Sequence, residues 1–187
     1  RIKDDNTWWE EEKIPFYDEF SKRRYYGGFY ELVVQKFPHR AVVLMGPRRV
    51  GKTVIMYQAI QDLINSGVNP KNIFYFSLDT PIYTNMHLEE LISDGLQINE
   101  IEIEESYFFF DEIQYLKDWE IHLKSLVDRN RKSKFIASGS AAAALRMKSI
   151  ESGAGRFTDY FLPPLTFSEY IDLNSYDNIL NTTEVDY

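Results

Sequence analysis

The chain reads as a three-layer α/β/α sandwich on a parallel sheet, and three observations predict it. Strand-length runs that are apolar throughout alternate with stretches of helical periodicity, the pattern of a sheet covered on both faces. The segment Gly46-Pro-Arg-Arg-Val-Gly-Lys-Thr53 fits the phosphate-cradling loop G-x-x-x-x-G-K-[ST] and lies directly between such a strand and such a helix. Further on, Tyr107-Phe-Phe-Phe-Asp-Glu112 ends an apolar run in two carboxylates, at the strand end where open α/β sheets bind ligands.

Taken in order, residues 1–20 mix charge with Trp8, Trp9, Phe16, Tyr17 and Phe20, too apolar for a free tail. An arm packed on this domain or on a partner is expected there. Over 19–37 the positions Phe29, Leu32, Val33 and Phe37 have helical spacing broken by Gly27-Gly28, which predicts a bent helix or two short ones. Residues 41–45 predict the first strand. After the loop, Ile55, Ala59, Ile60, Leu63 and Ile64 share one helical face, and Gly67 is a stop signal. Residues 73–78 predict a second strand, Asp79-Thr-Pro81 a turn, and 87–97 a helix. A third strand covers 106–110. Helical spacing returns over 119–129 in Ile121, Leu123, Leu126 and Val127. Residues 134–137 predict a fourth strand, 140–147 an Ala-rich helix and 158–162 a fifth strand before Pro163-Pro164.

With 187 residues, 44% hydrophobic and 16% aromatic, the chain suffices for one core. The reading is an arm over 1–20, a phosphate-loop domain over 21–173 and a linker over 174–187. Arg1 at the start and a polar closing tract look like cuts in a longer protein. The net charge of −8 argues against a broad footprint on nucleic acid or anionic membrane. A local polyanion contact is to be sought at Lys22, Arg23 and Arg24, whereas residues 100–105 form a solvated acidic run. The absence of cysteine removes disulfides and thiolate metal sites and fits a reducing, cytoplasmic setting. His39, His87 and His122 lack metal-ligand spacing and read as surface or capping residues. The apolar runs are far short of the ~20 residues that span a bilayer, so no membrane partner is expected.

The chemistry follows from the motifs. A phosphate loop needs glycine where the backbone turns with positive φ and approaches the phosphates, here Gly46 and Gly51. Gly46, Pro47, Arg48, Arg49, Val50, Gly51, Lys52, Thr53 and Val54 are therefore the candidate nucleotide-binding residues, at a helix N-terminus whose dipole favours anions. Lys52 would reach the β- and γ-phosphates, and the Thr53 hydroxyl would ligate Mg²⁺. Asp111 would hold Mg²⁺, usually through water. Glu112 can orient and polarise an attacking water, which a pure phosphate switch does not require. Ser138 or Ser140, after the fourth strand, could sense the γ-phosphate, or the serines simply make a tight turn. In Gly153-Ala-Gly-Arg156-Phe157 the guanidinium of Arg156 could stabilise phosphoryl charge, in cis or from a neighbouring subunit. The side chains of Arg48 and Arg49 point to solvent or steer phosphates in.

These motifs carry a resemblance. GPRRVGKT, the FSLD of residues 76–79, FFFDEIQ, ASGSA, GAGRF and PLTFSEY occur in the order and spacing of a large group of predicted prokaryotic ATPases in the AAA+ superfamily. The chain resembles that group over residues 20–173. The resemblance implies a five-stranded P-loop sheet of order 5-1-4-3-2, ATP as the nucleotide, Ser138 or Ser140 as sensor and Arg156 as phosphate-sensing or finger arginine. It also implies a C-terminal output domain, absent here.

Two functions are expected to compete: a Mg²⁺-dependent ATPase that drives an appended domain, and a nucleotide-gated interaction module with slow hydrolysis. A GTPase is disfavoured because no Asn-Lys-x-Asp base-reading motif occurs. A small-molecule kinase would need a basic lid, for which Arg129-Asn-Arg-Lys132 qualifies by charge alone. A homo-oligomer or partner subunit supplying an arginine is compatible with the motifs, which identify no client protein or nucleic acid.

Overall fold

The computed structural model describes residues 1–11, 14, 20–83, 85–140 and 155–174. Strands β1 (Ala41–Met45), β2 (Ile73–Ser77), β3 (Tyr107–Asp111), β4 (Lys134–Gly139) and β5 (Phe157–Phe161) form one sheet in the order β2-β3-β4-β1-β5. Every neighbouring pair is parallel, with Val43 opposite both Ala137 and Asp159, and Ser77 opposite Asp111. The expected order 5-1-4-3-2 is this one read from the other edge. All the C-terminal strand ends therefore share one edge of the sheet.

The helices are α1 (Ile2–Asp5), α2 (Trp8–Glu11), α3 (Tyr26–Val34), α4 (Lys52–Asn65), α5 (Leu88–Asn99), α6 (Trp119–Arg129) and α7 (Phe167–Leu173). Residue alternation along the strands sorts the two faces. Phe74 and Phe76 stack on Phe108 and Phe110, and Phe108 on Phe135, beneath α5 and α6. Tyr75 points the other way, onto Tyr57 of α4, with ring centroids 4.6 Å apart. Each fully buried phenylalanine contributes roughly 1.5–3 kcal/mol, so this aromatic ladder carries much of the core.

Some local outcomes differ from expectation, and one expectation is not reached. Helix α3 is a single helix that runs unbroken through Gly27-Gly28. At Gly28 an added Cβ would lie 2.9 Å from the Tyr160 hydroxyl, so that glycine serves close packing and no bend is needed. Strands β3 and β4 run on to Asp111 and Gly139, because their ladders continue up to the loops. The Ala-rich helix expected over 140–147 lies outside the described residues beyond Ser140, as do Phe16, Tyr17 and the tail from 175.

The N-terminal arm covers the sheet edge. β2 is an edge strand, whose outward backbone groups would otherwise be unpaired. Asn6 mimics a neighbouring strand, accepting from the Tyr75 amide at 2.7 Å and donating to the Tyr75 carbonyl at 2.9 Å. The indole N–H groups of Trp8 and Trp9 both donate to the Ile73 carbonyl, at 3.1 and 2.8 Å. The two tryptophans of the arm thus seal β2.

The expected polyanion contact at Lys22, Arg23 and Arg24 is not formed as a free patch, because each side chain is already committed. Lys22 pairs with Asp62 at 2.6 Å, and Arg24 pairs with Asp172. Arg23 is buried, donates to both oxygens of the buried Glu169 at 2.8 and 2.6 Å, and also reaches the carbonyls of Val50 and Pro163. It ties the phosphate loop, the segment after β5 and α7 together. The Arg23 hydrogen bonds hold the Glu169 carboxyl below its ordinary range. A depressed folded-state pKa gives stability that is present above the unfolded value and is lost as pH falls through the folded one. Glu169→Gln leaves Arg23 buried and uncompensated and is expected to cost about 3 kcal/mol at neutral pH. The gap in urea midpoint between variant and parent should close as the pH drops below the usual carboxylate range.

Candidate functional site

The site begins where β1 ends. The Gly46 amide still pairs with the Gly139 carbonyl at 3.4 Å, and an added Cβ at Gly46 would lie 2.4 Å from the Leu162 carbonyl oxygen. Backbone cannot yield there, so glycine is required by close approach and not by a positive φ, contrary to expectation. The left-handed turns fall at Gly51 (φ 93°), as expected, and at Arg49 (φ 65°). Gly51 caps α4 without a side-chain acceptor, which leaves the first-turn amides of α4 available to an anion.

Lys52 is buried, and its ammonium donates to the carbonyls of Gly46 and Pro47 at 3.2 and 3.1 Å. It also stands 3.7 Å from the Glu112 carboxylate. Thr53, one residue on, donates its hydroxyl to Asp111 Oδ2 at 2.7 Å. Asp111 is buried at the end of β3 and collects further donors: Tyr75 on Oδ2 at 2.8 Å, and on Oδ1 the Ser138 hydroxyl and the Glu112 amide at 3.1 Å. Burial first, and the charge of Asp111 next, push the Tyr75 phenol far above its ordinary range, so it remains a donor.

Glu112 leaves the strand with φ 56°, a left-handed conformation costly for a non-glycine residue and a mark of functional sites. Its amide donates to Ser138 Oγ at 2.9 Å, and its carboxylate accepts from the Gln114 side-chain amide. Gln114 in turn accepts from the Ser140 amide at 3.1 Å. Of the two serines, Ser138 thus meets the acidic pair through its hydroxyl, and Ser140 joins through its backbone. Arg48 donates to the Tyr115 hydroxyl at 3.0 Å, while the Arg49 side chain is exposed. Pro47 and Val50 complete the loop. Val54 faces a separate hollow of about 240 Å³ lined also by Phe20, Gly51, Gln58 and Leu173.

Arg156 stands apart from this cluster. It immediately precedes β5, its carbonyl accepts from the Ala41 amide, and its guanidinium pairs with Asp128 at 3.0 Å. Ala41 opens the strand that Met45 closes, so Arg156 sits at the opposite edge of the sheet, about 13 Å of strand away from the loop. This arrangement does not bring the arginine to its own chain's loop. Of the rest of its motif, Gly153 and Ala154 lie outside the described residues.

The three histidines serve structure. His39 meets the Val127 carbonyl, the His87 backbone at the head of α5 is capped by Glu90, and His122 pairs with Glu89 while stacking on His87. Among the described residues no group of His, Cys, Asp or Glu could hold a metal by itself, and no helix is long and apolar enough to cross a membrane. Thr53 and Asp111 do offer two hard oxygens side by side, the donor set Mg²⁺ uses when phosphates supply the remainder.

Two participants had no role in the motif reading. Tyr75 is embedded in the apolar run of β2, and only its alternation with Phe74 and Phe76 hints that it faces the other side. Gln114 closes the FFFDEIQ motif, which by itself assigns it no contact.

Known proteins agree with this architecture. A family model described as an AAA domain matches residues 38–171. An uncharacterized protein of Methanocaldococcus jannaschii is 31% identical over 134 residues, covering 71% of this chain and 28% of its own length. One from Haemophilus influenzae is 27% identical over 141 residues, covering 73% and 34%. The chain thus spans about a third of the length of the curated relatives it matches. Among solved structures, a chain of the S. cerevisiae Hsp104:casein complex superposes with a TM-score of 0.57 at 17% identity, covering 91% of this chain and 31% of its own, a likeness of fold. The matched family and the parallel sheet with its phosphate loop agree: the chain belongs to the AAA domain family, as a P-loop ATPase-like domain.

Proposed function

We propose that residues 21–173 bind ATP with Mg²⁺ and hydrolyse it, so as to drive or gate a domain appended beyond a linker at 174–187. One observation carries the reading: Lys52, Thr53, Asp111, Glu112 and Ser138 form a single contacting cluster at the head of α4. In this reading Lys52 and the loop amides hold the phosphates. Mg²⁺ would neutralise charge on the phosphates and orient them. Thr53 and Asp111 would hold it, and Tyr75 and Ser138 would keep the Asp111 carboxylate fixed in that role. Glu112 would accept the proton of the attacking water. Adenine as the base is supported by the hollow beside Val54, where Gln58 Oε1 is buried without a partner among the described residues and could accept from an exocyclic amine. Guanine would turn a carbonyl to the same place. We further propose a reducing, cytoplasmic setting, on the lack of cysteine alone.

A second reading, a nucleotide-gated interaction module with slow hydrolysis, is favoured by Glu112 itself. Its carboxylate is engaged by both Lys52 and Gln114 and has to be released before it can act on water. Mg²⁺-dependent ATP binding and phosphate release, measured side by side on the chain, decide between the two. Turnover supports the ATPase; tight binding with no release supports the gated module; absence of binding with the chain folded would overturn both.

A further inference from the structure

A second cavity lies at the other end of the sheet from the phosphate loop. It encloses about 580 Å³ beneath the starts of β3 and β4, between the C-terminal end of α3 and the turn after α4. That volume falls within the range of small-molecule sites. Its lining is cationic in a chain whose net charge is −8. Lys36, Arg131, Lys132 and Lys134 contribute, against Glu105. Lys132 is committed to Glu104, but among the described residues Lys36, Arg131 and Lys134 form no ion pair.

Lys134 is the unusual member. It is 9% exposed, and its ammonium, with three donors to satisfy, finds one acceptor among the described residues, the Gln35 carbonyl at 2.9 Å. Burial with no compensating carboxylate pulls its pKa down to about 8. A cation held in a low-dielectric wall at such a cost is uncommon unless something anionic meets it. His39 stands beside the same charges: burial lowers its pKa, the Val127 carbonyl offsets part of that, and Lys134 and Arg131 lower it again. The rest of the lining is mixed: Val33, Val34, Val68 and Phe37, the last 84% exposed, give it an apolar part, and Asn69, Asn72, Ser106 and Ser133 a polar one.

We propose that this cavity binds a small organic anion, a carboxylate or phosphate ester on an apolar or aromatic body, with Lys134 and Arg131 on the charged group and Phe37 and Val34 on the body. The site is independent of the nucleotide site and does not rest on the ATPase reading. Its probes are 1-naphthoate, 1-naphthyl phosphate and the neutral 1-naphthalenemethanol, titrated calorimetrically into the chain and into Lys134→Met, Arg131→Ala and Lys52→Ala. At least one naphthyl anion should bind, with the tighter of the two identifying the head group, and the alcohol should bind at least tenfold more weakly. Lys134→Met should lose at least tenfold in anion affinity, Arg131→Ala several-fold, and Lys52→Ala nothing. Lys134→Met removes a buried charge and should melt no lower than the parent, so lost binding would not reflect lost fold. Equal binding of the alcohol, undiminished binding in Lys134→Met, loss in Lys52→Ala, or no binding of either anion to the folded parent would each overturn the proposal.

Discussion

Glu112→Gln is expected to bind Mg²⁺-ATP about as tightly as the parent while releasing phosphate roughly 10²–10⁴-fold more slowly, the range a positioned general base contributes. The substitution keeps the size of the side chain and its hydrogen bond partners and removes the charge that takes a proton. Lys52→Ala should behave in the opposite way. Lys52 is buried with two loop carbonyls and Glu112 around it, so its loss strips the loop of the charge that faces the phosphates and leaves Glu112 uncompensated. Removing the buried charge that faces a bound phosphate costs about 2–5 kcal/mol of binding, so ATP affinity should fall by at least ~30-fold. Binding and single-turnover phosphate release, measured on both variants with melting curves as a fold control, separate the roles. If Glu112→Gln turned over at the parent rate, another group would have to orient the water.

Much of the fold was legible because a parallel sheet announces itself in single-sequence terms. Strands buried on both faces are apolar throughout, and Phe74, Phe76, Phe108 and Phe110 leave no room for another reading of β2 and β3. The loop was legible because its chemistry needs fixed residues at fixed spacing. What stayed hidden depends on strand neighbours that are distant in sequence. The Tyr75 hydroxyl finds Asp111 only because β2 pairs with β3 in a particular register, and Asn6, Trp8 and Trp9 make sense only once β2 is known to be an edge. The cationic cavity is assembled from four separate segments, none conspicuous alone. The placement of Arg156, by contrast, follows from the order of elements: a residue just before a parallel strand lies at the sheet edge opposite a loop that follows one. Ser138 and Ser140 could not be told apart without knowing which of them the end of β4 turns toward Asp111.

That placement leads to the prediction for Arg156. A guanidinium at the far edge, 43% exposed and paired with an equally exposed Asp128, is accessible to another molecule and held by a bond that contributes little. If it completes the site of a neighbouring subunit, Arg156→Ala should keep ATP binding and lose roughly 10³-fold or more in hydrolysis, the scale of an arginine finger. The parent's specific activity should also rise with protein concentration, since a lone chain would lack the arginine. Mixing Arg156→Ala with Lys52→Ala discriminates further. An interface that joins the intact loop of the first variant to the intact arginine of the second is complete, and head-to-tail pairing at random makes about a quarter of interfaces so. Each variant alone should be nearly inactive and the mixture should recover activity on that scale. A mixture as inactive as its parts, at concentrations where the parent assembles and turns over, would show that Arg156 does not act across an interface and would leave Arg156 as a surface residue held by Asp128.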